Sequence, residues 1–288
     1  MTSFLLEFGR YKLDLGPKTC IMGILNATPD SFSDGGRFHT FETAVQQGLK
    51  LVEDGAHILD IGGESSRPFA APVSEQEELN RVIPVIESLS KQISIPISID
   101  TVKSGVAKKA LDAGASIIND ISAFEKDPAM AGLAAERQVP VILMHMKGTP
   151  ETMQINPDYD DLMTEITSYL ASRTDYACKK GIRKDRIILD PGIGFGKTVE
   201  HNLVLINHLE KVIALGFPVL VGPSRKSFIQ KILSEKQKTP VGPDHIRTEY
   251  GTLAAVAASV MKGAHIVRVH DVEKLKSFTR ILDSIRNA

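Results

Sequence analysis

Residues 95–119, IPISIDTVKSGVAKKALDAGASIIN, hold the unit that decides the fold. Ile95–Asp100 is a short apolar run that ends on a charge, the mark of a strand buried on both faces of a parallel sheet. Val102–Ala113 reads as a helix. Gly114 then stops it, because glycine takes the left-handed conformation that turns the chain. Ser116–Asn119 begins the next apolar run. Working outward, the same unit recurs. Cys20–Leu25, His57–Ile61, Val139–Met144, Arg186–Asp190, Pro218–Val221 and His265–Val269 are further strand-like runs. Helices are expected over Thr43–Asp54, Ser74–Gln92 (opened by a Ser74/Glu77 capping box), Pro128–Arg137, Tyr159–Lys180, Val199–Leu215, Thr248–Lys262 and Val272–Asn287. Gly55, Gly181, Gly216 and Gly263 punctuate the chain as Gly114 does. Strand, loop, helix and glycine in this repeat predict an α/β fold, a single (β/α)8 TIM barrel. A doubly wound open sheet is the alternative, and no dinucleotide fingerprint supports it. Leu5–Leu15 alternates around Gly9-Arg10 and predicts an N-terminal β-hairpin that plugs the barrel's N-terminal end. The organisation expected is one domain over 1–288, hairpin in 1–18 and barrel in 19–288.

Composition narrows the function. The chain has 288 residues, 34 Lys+Arg against 35 Asp+Glu and a net charge of −1, with 42% hydrophobic and 24% charged residues. No basic run suggests a nucleic-acid or membrane-surface partner. The longest near-continuous apolar stretch, Leu253–Met261, is half of what a bilayer span requires. The N-terminus lacks the features of a secretory signal. Cys20 and Cys178 form no disulfide framework, which fits a reducing, cytoplasmic location.

In a barrel, chemistry sits at the C-terminal ends of the strands. Here these ends carry Asn26, Gly62-Gly63-Glu64, Asp100, Asn119-Asp120, His145, Asp190, Gly222-Pro223-Ser224-Arg225-Lys226, and Arg268 with His270. Alternation along a strand puts Ser98 with Asp100, and Arg268 with His270, on one face. Any one of these is also readable as a turn former or cap: Asp100 as a helix cap, Asp190 as a turn residue, Asp120 as nothing more. The coincidence of polar side chains at nearly every strand end argues for a site. Gly196-Lys197-Thr198 imitates the end of a phosphate-binding loop, but Pro191 stands where that motif needs glycine. The glycines of DPGIGFGK instead suit close backbone approach to a flat ligand, with Phe195 stacking or merely packing.

The segments GILNATPDSFSDGG (23–36), DIGGESSRP (60–68), SID (98–100), IND (118–120), LDPGIGFGK (189–197), GPSRKSF (222–228) and RVHD (268–271) resemble, in order, those of the dihydropteroate synthase family. The resemblance implies a homodimeric barrel that condenses 6-hydroxymethyl-7,8-dihydropterin diphosphate with p-aminobenzoate, aided by Mg2+. It also implies that diphosphate leaves and that sulfonamides compete with p-aminobenzoate. It assigns Asn26 to the metal and diphosphate, and Asp100, Asn119, Asp190 and Lys226 to the pterin, with Met144, Phe195 and Gly222 beside them. Arg268 and His270 span pterin and diphosphate. Phe32 and Asp34 lie on a first loop, and Ser66, Arg67 and Pro68 on a second, near p-aminobenzoate and diphosphate. Ser227 falls near the p-aminobenzoate carboxylate. Asp34, Arg67, Lys226, Arg268 and His270 are the expected catalytic set. Ser66 replaces a common threonine. Phe69 replaces a common glycine, and its ring either reshapes the p-aminobenzoate pocket or packs away from it.

The chemistry agrees with these positions. A pterin offers N3–H beside a 2-amino group, and one carboxylate, Asp190, accepts from both. Lys226 suits the 4-oxo and N5 acceptors. Arg268 can stack on the ring while facing phosphate. Cations must oppose the charge that grows on departing diphosphate. A methyltetrahydrofolate methyltransferase, a non-enzymatic pterin-binding barrel and a sugar-phosphate enzyme are the rivals.

Overall fold

A computed structural model describes residues 3–28, 37–66, 70–235 and 240–288. Strands β1 (Phe4–Phe8) and β2 (Tyr11–Leu15) pair antiparallel as the expected hairpin. Eight parallel strands follow: β3 (Cys20–Asn26), β4 (Ile58–Gly62), β5 (Ile97–Asp100), β6 (Ile117–Asp120), β7 (Val141–Met144), β8 (Ile187–Asp190), β9 (Leu220–Val221) and β10 (Ile266–Val269). Each pairs with its neighbour in sequence except β8 with β9, and β10 also pairs with β3. A parallel bridge between Leu189 and Val219, with Leu189 N–H donating to Pro218 O at 2.9 Å, joins β8 to the approach to β9 and closes the ring. The structure is therefore a barrel, and the open-sheet alternative fails.

The helices are α1 (Arg37–Asp54), α2 (Glu75–Ser90), α3 (Ser104–Ala113), α4 (Ala129–Arg137), α5 (Leu162–Lys179), α6 (Val199–Asn207), α7 (Glu210–Ile213), α8 (Ser227–Ser234), α9 (Ile246–Met261) and α10 (Val272–Arg286). The glycines expected to end helices, Gly55, Gly114, Gly181, Gly216 and Gly263, all have positive φ. Three expectations change. Helix α1 begins six residues earlier than Thr43. The segment 199–215 is two helices, because the chain leaves helical geometry at His208 (φ −114°). Helix α8 was not anticipated. The Ser74 cap holds, with Ser74 Oγ accepting from Glu77 N–H at 3.2 Å, but the Glu77 carboxylate turns to Arg81 at 3.1 Å and leaves the box half made.

Strand alternation sorts the core into two compartments. Ile97, Ile99, Ile118, Val141, Leu143, Leu189 and Val267 face outward into the layer beneath the helices. Met22, Ile58, Ile117, Ile142, Ile188, Leu220 and Ile266 fill the lower barrel, where Leu6, Phe8 and Leu15 of the hairpin plug it. Above this apolar layer the inward residues turn polar.

Candidate active site

The upper barrel is organised around Arg268 on β10. Its Nε donates to Asp60 Oδ2 at 2.6 Å and one terminal nitrogen donates to Asp100 Oδ2 at 2.8 Å. Asp60 is fully buried and also accepts from Asn119 Nδ2 at 3.2 Å. Register explains the convergence: Asp60 pairs with Ser98 and Gly62 with Asp100, while Asp100 in turn pairs with Asn119. Burial pushes the Asp100 carboxyl upward, and the Arg268 guanidinium pulls against it. The possible cap role of Asp100 fails, since the first N–H of α3, Ser104, donates to Asp127 Oδ2 at 2.8 Å. Asp120 accepts from Ser122 N–H at 2.8 Å, from Ser122 Oγ at 2.7 Å and from Phe124 N–H at 3.0 Å, which is the turn role its position suggests.

The second wall is the DPGIGFGK loop after β8. Asp190 Oδ1 accepts from Gly192 N–H at 2.7 Å, and burial raises its carboxyl to about 6. Asp190 thus forms a turn while standing as a buried carboxylate in the wall of the candidate site. Lys226 Nζ lies 3.8 Å from the centre of the Phe195 ring, and burial beside Arg268 lowers its ammonium to about 8. Glycine is required for this approach: a Cβ at Gly194 (φ +81°) would stand 2.8 Å from Lys226 Cδ. Phe195 therefore serves as a platform for a cation, and it packs with Met144 and Met153. Gly222 ends the strand beside Arg268, where a Cβ would meet Arg268 Cβ at 3.8 Å.

Beneath the loop lies a pair that the sequence did not suggest. Lys197, 2% exposed, donates to Phe195 O at 2.9 Å and meets His145 Nδ1 at 3.0 Å. Burial lowers Lys197 to about 7; burial and the nearby cation lower His145 to about 3. His145 is therefore a neutral acceptor for the lysine. Lys197 falls inside the false phosphate-loop motif, and its sequence signal is a lysine within an otherwise apolar, glycine-rich run.

On the far rim, Ser224 Oγ accepts from His270 N–H at 3.3 Å and shares a 2.9 Å hydrogen bond with His270 Nδ1. Asn26 ends β3, half-buried, paired with Gly62. Ser66 and Ser227 are also half-buried, Ser227 as the first residue of α8. Arg225 has a φ of +57° and is pinned by Thr252 Oγ1 (3.1 Å) and Asp244 (2.7 Å), which holds the strained turn that presents Lys226. Phe32, Asp34, Arg67, Pro68 and Phe69 lie outside the described residues. The second loop is anchored at its base, where Lys103 bridges Glu64 and the buried Glu78 (2.6 Å) and Arg81 donates to Gly63 O at 2.8 Å.

Among the described residues Asn26 is the candidate ligand for a magnesium ion. Among the described residues no group of three or more His, Cys, Asp or Glu side chains is placed to hold a metal. Asn26 offers a single hard amide oxygen, which suits an ion that keeps waters and arrives on phosphate oxygens.

The family pattern described as pterin binding enzyme matches residues 22–270. A dihydropteroate synthase of Synechocystis is 48% identical, covering 97% of this chain and 94% of the relative. A crystal structure of the Yersinia pestis dihydropteroate synthase with a sulfonamide drug complex superposes with a TM-score of 0.91 at 42% identity, covering 99% of this chain and 100% of that one. The Xanthomonas albilineans dihydropteroate synthase with 4-aminobenzoic acid gives 0.90 at 41%, covering 100% of both. With a family pattern spanning most of its length and a relative near half identity, the chain belongs to the dihydropteroate synthase family of pterin-binding enzymes.

Proposed function

We propose that the strand-end site of this chain binds 6-hydroxymethyl-7,8-dihydropterin diphosphate deep in the barrel, joins its methylene to the amine of p-aminobenzoate, and releases diphosphate. The observation that carries the reading is the buried carboxylate of Asp190, on which the Lys226 and Arg268 cations act, with the Phe195 ring lying under Lys226. Asp190 accepts from N3–H and the 2-amino group, and Lys226 donates to the 4-oxo and N5 atoms. Asp100, Asn119, Met144, Phe195 and Gly222 complete the pterin pocket. Arg268, forked between two carboxylates, holds its plane over the ring and its charge toward the diphosphate. Ser224 Oγ, which accepts from the His270 backbone N–H, can donate its own hydrogen to Nδ1; in that tautomer the imidazole proton stands on Nε2, where it can donate to the leaving group.

C–O cleavage leaves an electrophilic methylene, and the weak aryl amine attacks it. Diphosphate leaves with the C–O electron pair, the new N–C bond forms from the amine lone pair, and the acidic anilinium proton that results passes to the released diphosphate or to water, so no strong base is required. Asn26 would hold magnesium on the diphosphate, and the ion supplies positive charge against the leaving group. Asp34 and Arg67 join the catalytic set, while Phe32, Ser66, Pro68, Phe69 and Ser227 form the p-aminobenzoate pocket. Two relatives bear ligands that fit such a pocket, a sulfonamide complex and 4-aminobenzoic acid. A second copy of the chain covers the apolar groove between α6, α8 and α9, where Leu203, Ile232 and Met261 are 47%, 37% and 53% exposed. No helix among the described residues is long and apolar enough to cross a membrane. The working compartment in this reading is the cytoplasm.

Calorimetry tests the reading. Asp190→Asn replaces an acceptor with a donor facing the pterin N–H groups, and loss of charge-assisted bonds costs about 1.5–3 kcal/mol. Pterin affinity should fall at least about tenfold. Equal affinity in the two proteins would remove Asp190 from the site.

A further inference from the structure

We infer that Asp60 is a positioning residue that sets the hydrogen-bonding polarity of the pterin pocket, by fixing which end of the Asn119 amide faces the ligand. This rests on the pterin reading above and extends it to a residue that does not touch the substrate.

Asp60 is fully buried, one layer below the strand ends, and an ionised carboxylate only accepts. Its Oδ2 takes Asn119 Nδ2–H at 3.2 Å and Arg268 Nε–H at 2.6 Å. The Asn119 side chain is itself 4% exposed, so its amide is held rather than rotating in solvent. With one Nδ2 hydrogen committed to Asp60, the amide is held in one orientation, and its carbonyl oxygen, with the second Nδ2 hydrogen, is left for the rest of the pocket. An amide at this position, read alone, serves either a donor or an acceptor edge; Asp60 fixes which way it is turned. The pocket therefore presents acceptors on two sides, Asp190 and Asn119 Oδ1, and a ligand must bring hydrogens to both. A pterin does so, because Asp190 uses N3–H and one 2-amino hydrogen and leaves the second for Asn119. The same carboxylate oxygen holds Arg268 by Nε and leaves its terminal nitrogens to Asp100 and the ligand. One buried oxygen thus couples ring recognition to the orientation of the cation that faces diphosphate.

The test is a swap. Asp60→Asn keeps shape but can donate to Asn119 Oδ1, which lets the Asn119 amide turn its nitrogen to the ligand. Pterin affinity, read by calorimetry, is expected to fall about tenfold or more. The advantage of 6-hydroxymethylpterin over its analogue without the 2-amino group should shrink by about fivefold or more. Adding Asn119→Asp to Asp60→Asn restores an acceptor toward the pocket with the pair's charge unchanged, and should recover most of both losses. A role confined to packing would not be repaired by exchanging the two side chains. Asp60→Asn affinity within about twofold of the parent, or a double variant no better than the single one, would overturn the inference. The ligand-free parent protein supplies a reading independent of pterin binding and of variant folding. Its Asn119 side-chain amide should show one hydrogen strongly protected from exchange by NMR, and two fast-exchanging hydrogens would contradict the proposal. If the parent failed to bind pterin while that hydrogen stayed protected, the functional reading would fall and the Asp60–Asn119 orientation would stand.

Discussion

Burial sets the charge states of the pocket, and two predictions follow at the scale of single residues. In the proposed reading Asp190 meets the pterin as a carboxylate, yet burial raises its carboxyl to about 6. Pterin binding should therefore weaken as pH falls through about 6, and calorimetry between pH 5 and 8 checks it. In the ligand-free protein the sign reverses. A carboxyl raised above its ordinary 3.8 binds its proton more tightly when folded, so its contribution to stability declines as pH rises from about 4 to about 6. Lys197 adds a cation beneath the same loop. Lys197→Met should move the acid limb of pterin binding to higher pH, whereas Lys197→Arg should leave it near the parent; an unmoved limb in both would limit Lys197 to packing. Asp100, Asn119, Asp190, Lys226 and Arg268 were legible because each stands in the last two residues of a strand or in the loop just beyond it. Asp60 was not, because it stands two residues short of the end of β4, inside the layer that hydropathy assigns to the core. Lys197 was hidden by a resemblance to the wrong motif.

The parallel strands and most helices follow from apolar runs and their glycine stops, and the hairpin follows from alternation around Gly9. The break between α6 and α7 carries no proline or glycine, so periodicity runs through it. Helix α8 is eight residues long and sits directly after a loop rich in functional residues, which masks its amphipathic pattern. The hairpin's role can be separated from catalysis. Leu6 is 2% exposed at the bottom of the barrel, and Leu6→Ala should cost about 2–5 kcal/mol of stability through lost burial and a cavity. Thermal unfolding should register this with kcat nearly unchanged below the transition; a large fall in kcat at full folding would couple the plug to the site. The glycine loop should behave oppositely. A Cβ at Gly192 (φ +73°) would fall 1.9 Å from His145 O, so Gly192→Ala must displace the loop. Pterin affinity should fall at least about tenfold, and an unchanged value would show that the loop can shift without disturbing Asp190.

At the scale of the whole molecule, the ring of parallel strands brings to one mouth residues as distant in sequence as Asn26 and His270, and the apolar layer with its hairpin plug leaves that mouth as the place for chemistry. Closure between β8 and β9 is narrow, a single bridge beside a two-residue strand, so the sequence suggested a barrel more clearly than it showed how the barrel shuts. The groove on α6, α8 and α9 predicts a two-copy assembly. Met261→Glu should halve the sedimenting mass at micromolar concentration, and a parent protein that sediments as a monomer would remove the proposed interface. The central claim, that this mouth condenses a pterin diphosphate with an aryl amine, is tested most directly by product stoichiometry. The protein, given 6-hydroxymethyl-7,8-dihydropterin diphosphate, p-aminobenzoate and magnesium, should yield 7,8-dihydropteroate and diphosphate in equal amounts, and no product when the pterin lacks its diphosphate. Folded protein that forms no dihydropteroate, or forms it equally from the pterin without diphosphate, would contradict the account.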